Sequence, residues 1–315
     1  MSVFGWHNST DEEIDQLVKN NIEWVAVIPF FYQKDDESQE ISSRVDIGKW
    51  TRRDSTFINA VNQLHNRGIK VMIKPHLWVS DGWRSDIKLD TREQWKSWFS
   101  KYSNLMLHYA TMAEETNAEL LCIGTELRTS IEVVSEEWKE LIVDIRKIYK
   151  GQLTYAANWH DEYEHITFWN ELDYIGIQAY FPLTEHKNPQ LSEIISGWNA
   201  HKKNLGAFSK KYNKPILFTE VGYRSDASTT VKPWEWNSLS NLFLNNRSTE
   251  AQQLAYEAMF NSLWNEPWFA GCYIWQWDFR TKEESAKKSF DFSPRFKPAE
   301  NIIAKWYGNY NSLHE

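Results

Sequence analysis

Residues 119–128 read ELLCIGTELR, an unbroken apolar run from Leu120 to Gly124 that stops abruptly at Thr125, Glu126, Leu127 and Arg128. A short run of this kind, with polar residues at its ends, fits a strand buried on both faces, as strands of parallel sheets are. Working outward, residues 91–116 upstream and 136–149 downstream place apolar side chains at helical spacing, so the run is a strand set between two helices. The same alternation recurs along the chain. Candidate strands lie at 2–6 (SVFGW), 23–30 (EWVAVIPF), 69–75 (IKVMIKP), 119–124, 152–157 (QLTYAA), 173–178 (DYIGIQ), 215–219 (PILFT) and 270–275 (AGCYIW).

Between them the pattern predicts helices over 11–20, with Thr10 or Asp11 as cap, and over 54–67, where Asp54 precedes an Ile58/Val61/Leu64 stripe and Gly68 stops it. Further helices are expected over 91–116, 136–149, 190–212, 249–265 and 298–307, the last opening on Pro298. Only the connection at 161–170 is short. Eight βα units with no Pro/Gly/Ser linker and no composition break place the chain in the α/β class, as a single (β/α)8 TIM barrel forming one domain over 1–315. A doubly wound open sheet is the alternative. The longest loops, 31–53, 78–90, 221–248 and 276–297, all follow strands, which is the barrel face where active sites form.

Composition narrows the function. Thirty-five basic against forty-three acidic residues leave a net charge of −8, which disfavours nucleic acid and anionic membrane surfaces as partners. Forty-two per cent hydrophobic content excludes disorder, and no apolar stretch approaches the length of a membrane span. Cys122 and Cys272 both sit in apolar runs and are expected to act as small buried hydrophobes outside any disulfide framework. The N-terminal MSVFGWHNSTDEE lacks a basic region followed by an apolar one, so the chain reads as cytoplasmic as written; a secreted chain trimmed of its leader would read the same. A monomer is expected. The outstanding feature is aromatic: 18 Trp, 14 Tyr and 16 Phe, with Trp several times its ordinary usage.

The positions just beyond the strands should converge on one site. In chain order they are Trp6, Phe31, His76, Glu126, Asn158, Tyr180, Glu220 and Trp275. Glu126 and Glu220 each follow an apolar strand directly, where an ionised side chain is costly unless it faces an open site. Two such carboxyls suit glycoside hydrolysis, which needs one acid protonated near neutral pH and one ionised carboxylate. A retaining enzyme holds them about 5 to 5.5 Å apart and an inverting one leaves a wider gap for water.

Sugar rings present C–H faces that pack on aromatic rings, so the Trp residues of the strand-end loops are candidate platforms: Trp6, Trp78, Trp83, Trp159, Trp234, Trp236, Trp275 and Trp277. Among the substrate-binding candidates, Trp275 is the foremost. The Tyr180 hydroxyl can orient a neighbouring carboxylate, and Asn158 offers both a donor and an acceptor to sugar hydroxyls. His76 stands alone, as a structural hydrogen-bonder or a substrate contact.

No metal or other cofactor is expected. HEXXH and a His-x-His after the first strand are absent, and the cluster His160, Asp161, Glu162, Glu164 and His165 reads as a solvated loop or helix start. The G-x-S-x-G elbow and the glycine-rich phosphate loops are absent too. A noncatalytic carbohydrate-binding barrel would account for the aromatic platforms, but it would not require carboxylates at both strand ends.

In these residues the chain resembles glycoside hydrolase family 113, clan A (β/α)8 enzymes known chiefly as β-1,4-mannanases. The segments that carry the resemblance are WVAVIPFFYQ (24–33), GIKVMIKPHLW (68–78), LLCIGTELR (120–128), LTYAANW (153–159), YIGIQAYFPL (174–183), ILFTEVGYRS (216–225), YIWQWDF (273–279) and FKPAE (296–300). The resemblance implies endo-cleavage of β-1,4-mannosidic linkages in β-mannan and manno-oligosaccharides by double displacement, with Glu126 as acid/base and Glu220 as nucleophile. It also implies that Tyr180 contacts the nucleophile and that Trp275 floors the −1 subsite. Thr125 stands where much of the clan has Asn, which leaves Asn158 as the candidate to hold the sugar 2-hydroxyl. Exo-acting β-mannosidase or another clan A β-glycanase is the alternative.

Overall fold

The computed structural model describes residues 1–43, 45, 46, 48–236 and 246–314. Its strands are β1 (Ser2–Phe4), β2 (Trp24–Val27), β3 (Phe30–Asp35), β4 (Ile41–Ser42), β5 (Lys70–Ile73), β6 (His76–Asp81), β7 (Leu120–Thr125), β8 (Gln152–Asn158), β9 (Ile175–Gln178), β10 (Ile216–Val221), β11 (Phe269–Ile274) and β12 (Trp277–Asp278). Its helices are α1 (Asp11–Lys19), α2 (Arg52–His65), α3 (Arg92–Glu115), α4 (Arg128–Val133), α5 (Ser135–Ile148), α6 (Leu191–Tyr212), α7 (Thr249–Leu263), α8 (Glu283–Ala286) and α9 (Pro298–His314). Every strand and helix expected from the sequence is present, and the eight expected strands are β1, β2, β5, β7, β8, β9, β10 and β11. Residues 237–245 of the expected 221–248 loop lie outside the described residues.

Two compact units divide the chain: residues 24–178, and residues 1–23 together with 179–315. Within the first, β2, β5, β7, β8 and β9 lie side by side in that order, every pair parallel. Every residue of β7 and β9 is buried, which explains their unbroken apolar sequence. Within the second, β10 pairs with β11 and β1 with β12, again in parallel.

A three-stranded sheet in the first unit was not expected. It is formed by β3, parallel to β6 and antiparallel to β4, largely from residues of the expected 31–53 and 78–90 loops. The cause is a matched pair of prolines. Pro29 and Pro75 follow β2 and β5 and cannot donate to a ladder, so each strand breaks there and resumes as β3 or β6. The pairing is kept across the break: Val27 stands opposite Ile73 and Phe30 opposite His76, with His76 N–H donating to Pro29 O at 2.8 Å.

Helix starts follow side-chain chemistry. Thr10 caps α1 by accepting from Glu13 N–H. For α2 the reading of Asp54 as the start is corrected: Thr51 is the cap and Asp54 sits three residues in, closing a reciprocal capping box, so the helix begins at Arg52. Among the described residues no helix is long and apolar enough to cross a membrane. Cys122 is buried and Cys272 half-buried, both as free thiols.

Much of the aromatic excess forms packed interior. Trp98, Phe99, Tyr102, Trp138, Tyr155 and Phe168 make a continuous set of ring contacts, with Trp98 stacked on Tyr102 and Trp138 on Phe168. Such pairs contribute about 0.5–1.5 kcal/mol each beyond the area they bury. This cluster backs the end of β7: Tyr102 Oη donates to Ile123 O at 2.9 Å, and a Cβ on Gly124 would stand 2.6 Å from Tyr155 Cε2 and 2.7 Å from Trp138 Cη2. Gly124→Ala is therefore expected to cost about 1–3 kcal/mol through overpacking. A melting temperature several degrees below wild type checks this, and an unchanged one would show that the cluster yields.

Candidate active site

Glu126 follows β7 at a break in regular pairing. The register between β7 and β8 shifts between Cys122 and Thr125, and Glu126 itself adopts the left-handed region with φ 50°, its N–H donating to Ala156 O at 2.9 Å. A non-glycine residue there carries backbone strain that the surrounding structure must hold. The irregularity turns the side chain out of the strand alternation, as bulges beside functional sites do.

Although only 3% exposed, the carboxylate is fully engaged. Arg84 Nη2 donates to Oε2 at 2.5 Å and Asn158 Nδ2 to Oε1 at 2.8 Å, while Ser85 Oγ binds the Glu126 carbonyl at 2.8 Å. Arg84 and Ser85 lie in a single 3-10 turn, Arg84–Asp86, and the Arg84 guanidinium also lies over the Trp83 ring at 4.4 Å. Removing one partner of such a buried pair generally costs about 3–5 kcal/mol, so the arrangement holds Glu126 firmly. Asn158 is drawn in further because its Oδ1 accepts from His160 N–H at 2.9 Å. Its amide, offered by sequence to a sugar hydroxyl, is thus shared with Glu126.

His76 opens β6 and is 3% exposed, edge-on to Phe30 at 5.6 Å. Burial first, then the charges of Lys74 and Arg84, hold its imidazole well below the usual histidine range, so the ring stays neutral. On the same strand, Trp78 is exposed and stands opposite Tyr32 of β3.

In the other unit Glu220 occupies the end of β10 and is 6% exposed. The β10–β11 register also shifts between Phe218 and Val221, so both glutamates stand at irregular strand ends. The Tyr180 hydroxyl donates to Glu220 Oε1, as the Tyr180 position suggested. That contact is held from the backbone, since Ala179 N–H donates to Glu220 O at 2.7 Å. Trp275 follows β11, its N–H bound to Val221 O at 2.7 Å, with Phe4 and Trp236 both edge-on to its ring.

The Trp candidates separate by environment. Trp78, Trp83, Trp234 and Trp236 are among the exposed large hydrophobic residues, whereas Trp98, Trp138, Trp169, Trp198 and Trp277 are among the largest fully buried ones. Trp277 is therefore corrected: it pairs with Val3 in the β1–β12 ladder, lies under the Arg295 guanidinium at 5.5 Å, and offers no ring face to a sugar. Trp6 is packed as well, its indole N–H turned back to Val3 O at 3.1 Å and its ring edge-on to Phe279.

The expected solvated cluster is corrected at one member. Asp161 and His160 are exposed, but Glu162 is 1% exposed, with Tyr155 Oη and Asn158 N–H donating to its two oxygens. Sequence reasoning also missed Arg84, a surface-type residue in a presumed loop. Nothing in its local sequence marked it. Among the described residues, no three His, Cys, Asp or Glu side chains are grouped to hold a metal ion.

A β/α alternation with a glutamate at the ends of its fourth and seventh strands defines the class: a glycoside hydrolase on a (β/α)8 barrel. The chain belongs to Glycoside Hydrolase Family 113, whose family model matches residues 5–297. It is similar to the GH113 β-mannanase of Alicyclobacillus acidocaldarius solved in complex with ManMIm, at 27% identity and a TM-score of 0.84, covering 98% of this chain and 96% of that one. A second solved GH113 β-1,4-mannanase matches at 26% identity and a TM-score of 0.83, over 98% and 97% of the two chains. The β-glucuronidase of Faecalibacterium prausnitzii shares the fold alone, at 13% identity and a TM-score of 0.60, over 96% of this chain and 45% of that one. Among curated proteins none matches.

Proposed function

We propose that this protein is a retaining endo-β-1,4-mannanase acting on mannan and manno-oligosaccharides. The observation that carries the reading is the end-to-end similarity to GH113 β-mannanases, in a chain whose two strand-end glutamates are each held by dedicated partners. In the first step a Glu220 oxygen attacks the anomeric carbon. The glycosidic C–O bond breaks and its oxygen takes the proton of Glu126, leaving a glycosyl ester on Glu220. In the second step Glu126, now a carboxylate, takes a proton from water; that water attacks the anomeric carbon, the ester bond breaks and Glu126 is protonated again.

The partners suit these roles. Tyr180 donates to one oxygen of Glu220, the residue read as the nucleophile. Arg84 and Asn158 each donate to one oxygen of Glu126 and so fix the orientation of its carboxyl. Trp275, with Trp236 and Phe4 braced against it, is the proposed sugar platform, and the exposed Trp78 is a second candidate.

Digestion of mannohexaose, cellohexaose and polymeric mannan, with products sized over time, tests the substrate and the mode of action. The expected result is internal cleavage of mannan to short oligosaccharides, with the cellohexaose untouched. Mannose as the sole product would make the enzyme exo-acting, and no cleavage of any of the three would favour a binding protein. NMR of the first-formed product is expected to show the β-anomer; an initial α-anomer would remove Glu220 from the nucleophile role.

A further inference from the structure

Glu162 is a carboxyl sealed from solvent, and burying such a group is costly unless its bonds do something an apolar side chain could not. Its two oxygens reach toward Glu126 by two separate routes. On one side, Asn158 N–H donates to Glu162 Oε2 at 2.6 Å, while the side-chain amide of the same residue donates to Glu126 Oε1 at 2.8 Å. On the other, Tyr155 Oη donates to Glu162 Oε1 at 2.6 Å and accepts from Leu127 N–H at 2.6 Å. Leu127 follows the left-handed Glu126 directly, so that N–H belongs to the peptide leaving the strained residue. One carboxyl thus anchors both the amide that touches the Glu126 side chain and the backbone that carries it.

We propose that Glu162 is a positioning residue for Glu126, fixing the place of that carboxyl through Asn158 on one side and through Tyr155 and Leu127 on the other. The proposal rests on the reading of Glu126 as the acid/base. Glutamine cannot replace the group without loss: its amide nitrogen would face either the Asn158 N–H or the Tyr155 hydroxyl, donor against donor on the first side and a surplus donor on the second. Burial pushes the Glu162 carboxyl up to about 8 against the pull of its two donors, with Glu126 raising it further and Arg84 lowering it.

The test compares Glu162→Gln with wild type on two substrates. Manno-oligosaccharides need a proton for departure and a base for the water. A 2,4-dinitrophenyl β-mannobioside with added azide needs neither, because the phenolate leaves unaided and azide attacks without deprotonation. Glu162→Gln is expected to lower kcat on mannohexaose by about 10- to 100-fold, the usual effect of a misplaced catalytic group, with KM changed less than about threefold. On the activated substrate with azide, the loss should shrink to within about threefold. Tyr155→Phe keeps the ring in its aromatic cluster and cuts the same link, so a smaller loss with the same substrate dependence is expected, and it carries the test if Glu162→Gln does not fold. Equal losses on both substrates, or wild-type rates from the folded variants, would overturn the proposal. Failure of the acid/base reading looks different: Glu126→Ala itself would then lack the dependence on the leaving group.

Discussion

Replacing Glu220 by alanine is expected to abolish hydrolysis of mannan while leaving oligosaccharide binding intact. Retention requires a covalent partner for the anomeric carbon, and the alanine variant has none, so only unassisted departure of the leaving group is left. A loss of at least about 10⁴-fold in kcat follows, or more than about 5 kcal/mol of transition-state stabilisation at 1.36 kcal/mol per tenfold. Binding should persist, because the ring contacts proposed for Trp275, with Phe4 and Trp236 braced against it, do not involve the carboxylate. The change also takes away the acceptor of the Tyr180 hydroxyl, so circular dichroism should accompany the assay to show that the fold survives. Kinetics on mannohexaose, with calorimetric titration of the same sugar, checks both halves. A substantially active Glu220→Ala protein would sink the assignment, whereas azide restoring turnover with an α-glycosyl azide as product would locate the nucleophile at this position.

The second large effect is expected at Glu126. Glu126→Ala should lower kcat on mannan by roughly 10²- to 10⁴-fold, the range that general acid–base catalysis supplies, and should spare substrates whose leaving group needs no proton. On a dinitrophenyl glycoside the first step then runs near its normal rate and release of the sugar becomes limiting. Added azide should speed that release and give a β-glycosyl azide, opposite in configuration to the product expected from Glu220→Ala. The substitution strands Arg84, a buried cation paired with this carboxylate, so a drop of about 3–5 kcal/mol in stability is expected alongside the kinetics. Glu126→Gln retains an acceptor for Arg84 and separates the two consequences: it should lose activity with a smaller loss of stability. Full activity of Glu126→Gln on mannan would exclude this residue as the proton donor.

These expectations begin in features the sequence displays locally. Fully buried strands such as β7 and β10 read as apolar runs, because parallel strands covered on both faces have no polar side to present. The glutamates that end the two runs were legible for the same reason, as charges where the run forbids them. The β3–β4–β6 sheet was not legible, since Pro29 and Pro75 end one ladder and the register that resumes beyond them is a relation between two distant segments.

The candidate site divides along the same line. Glu126, Glu220, Tyr180, Asn158 and Trp275 could be named from their places relative to strands. Arg84 and Glu162 could not, because a charge in a loop is solvated by default and only its contacts in the folded chain make it otherwise. Trp277 shows the converse. Its position beyond a strand matched a platform, yet the ladder with β1 and the guanidinium of Arg295 cover it.

By itself the sequence determined the order of strands and helices, the two carboxylates and the surplus of Trp, because periodicity and abrupt changes of polarity are properties of neighbours in the chain. Only the tertiary structure decided which Trp residues keep an open face, that a left-handed turn presents Glu126, and that Arg84, Asn158 and Glu162 govern its surroundings. Those outcomes depend on which buried polar groups find partners, and the partners stand tens of residues apart.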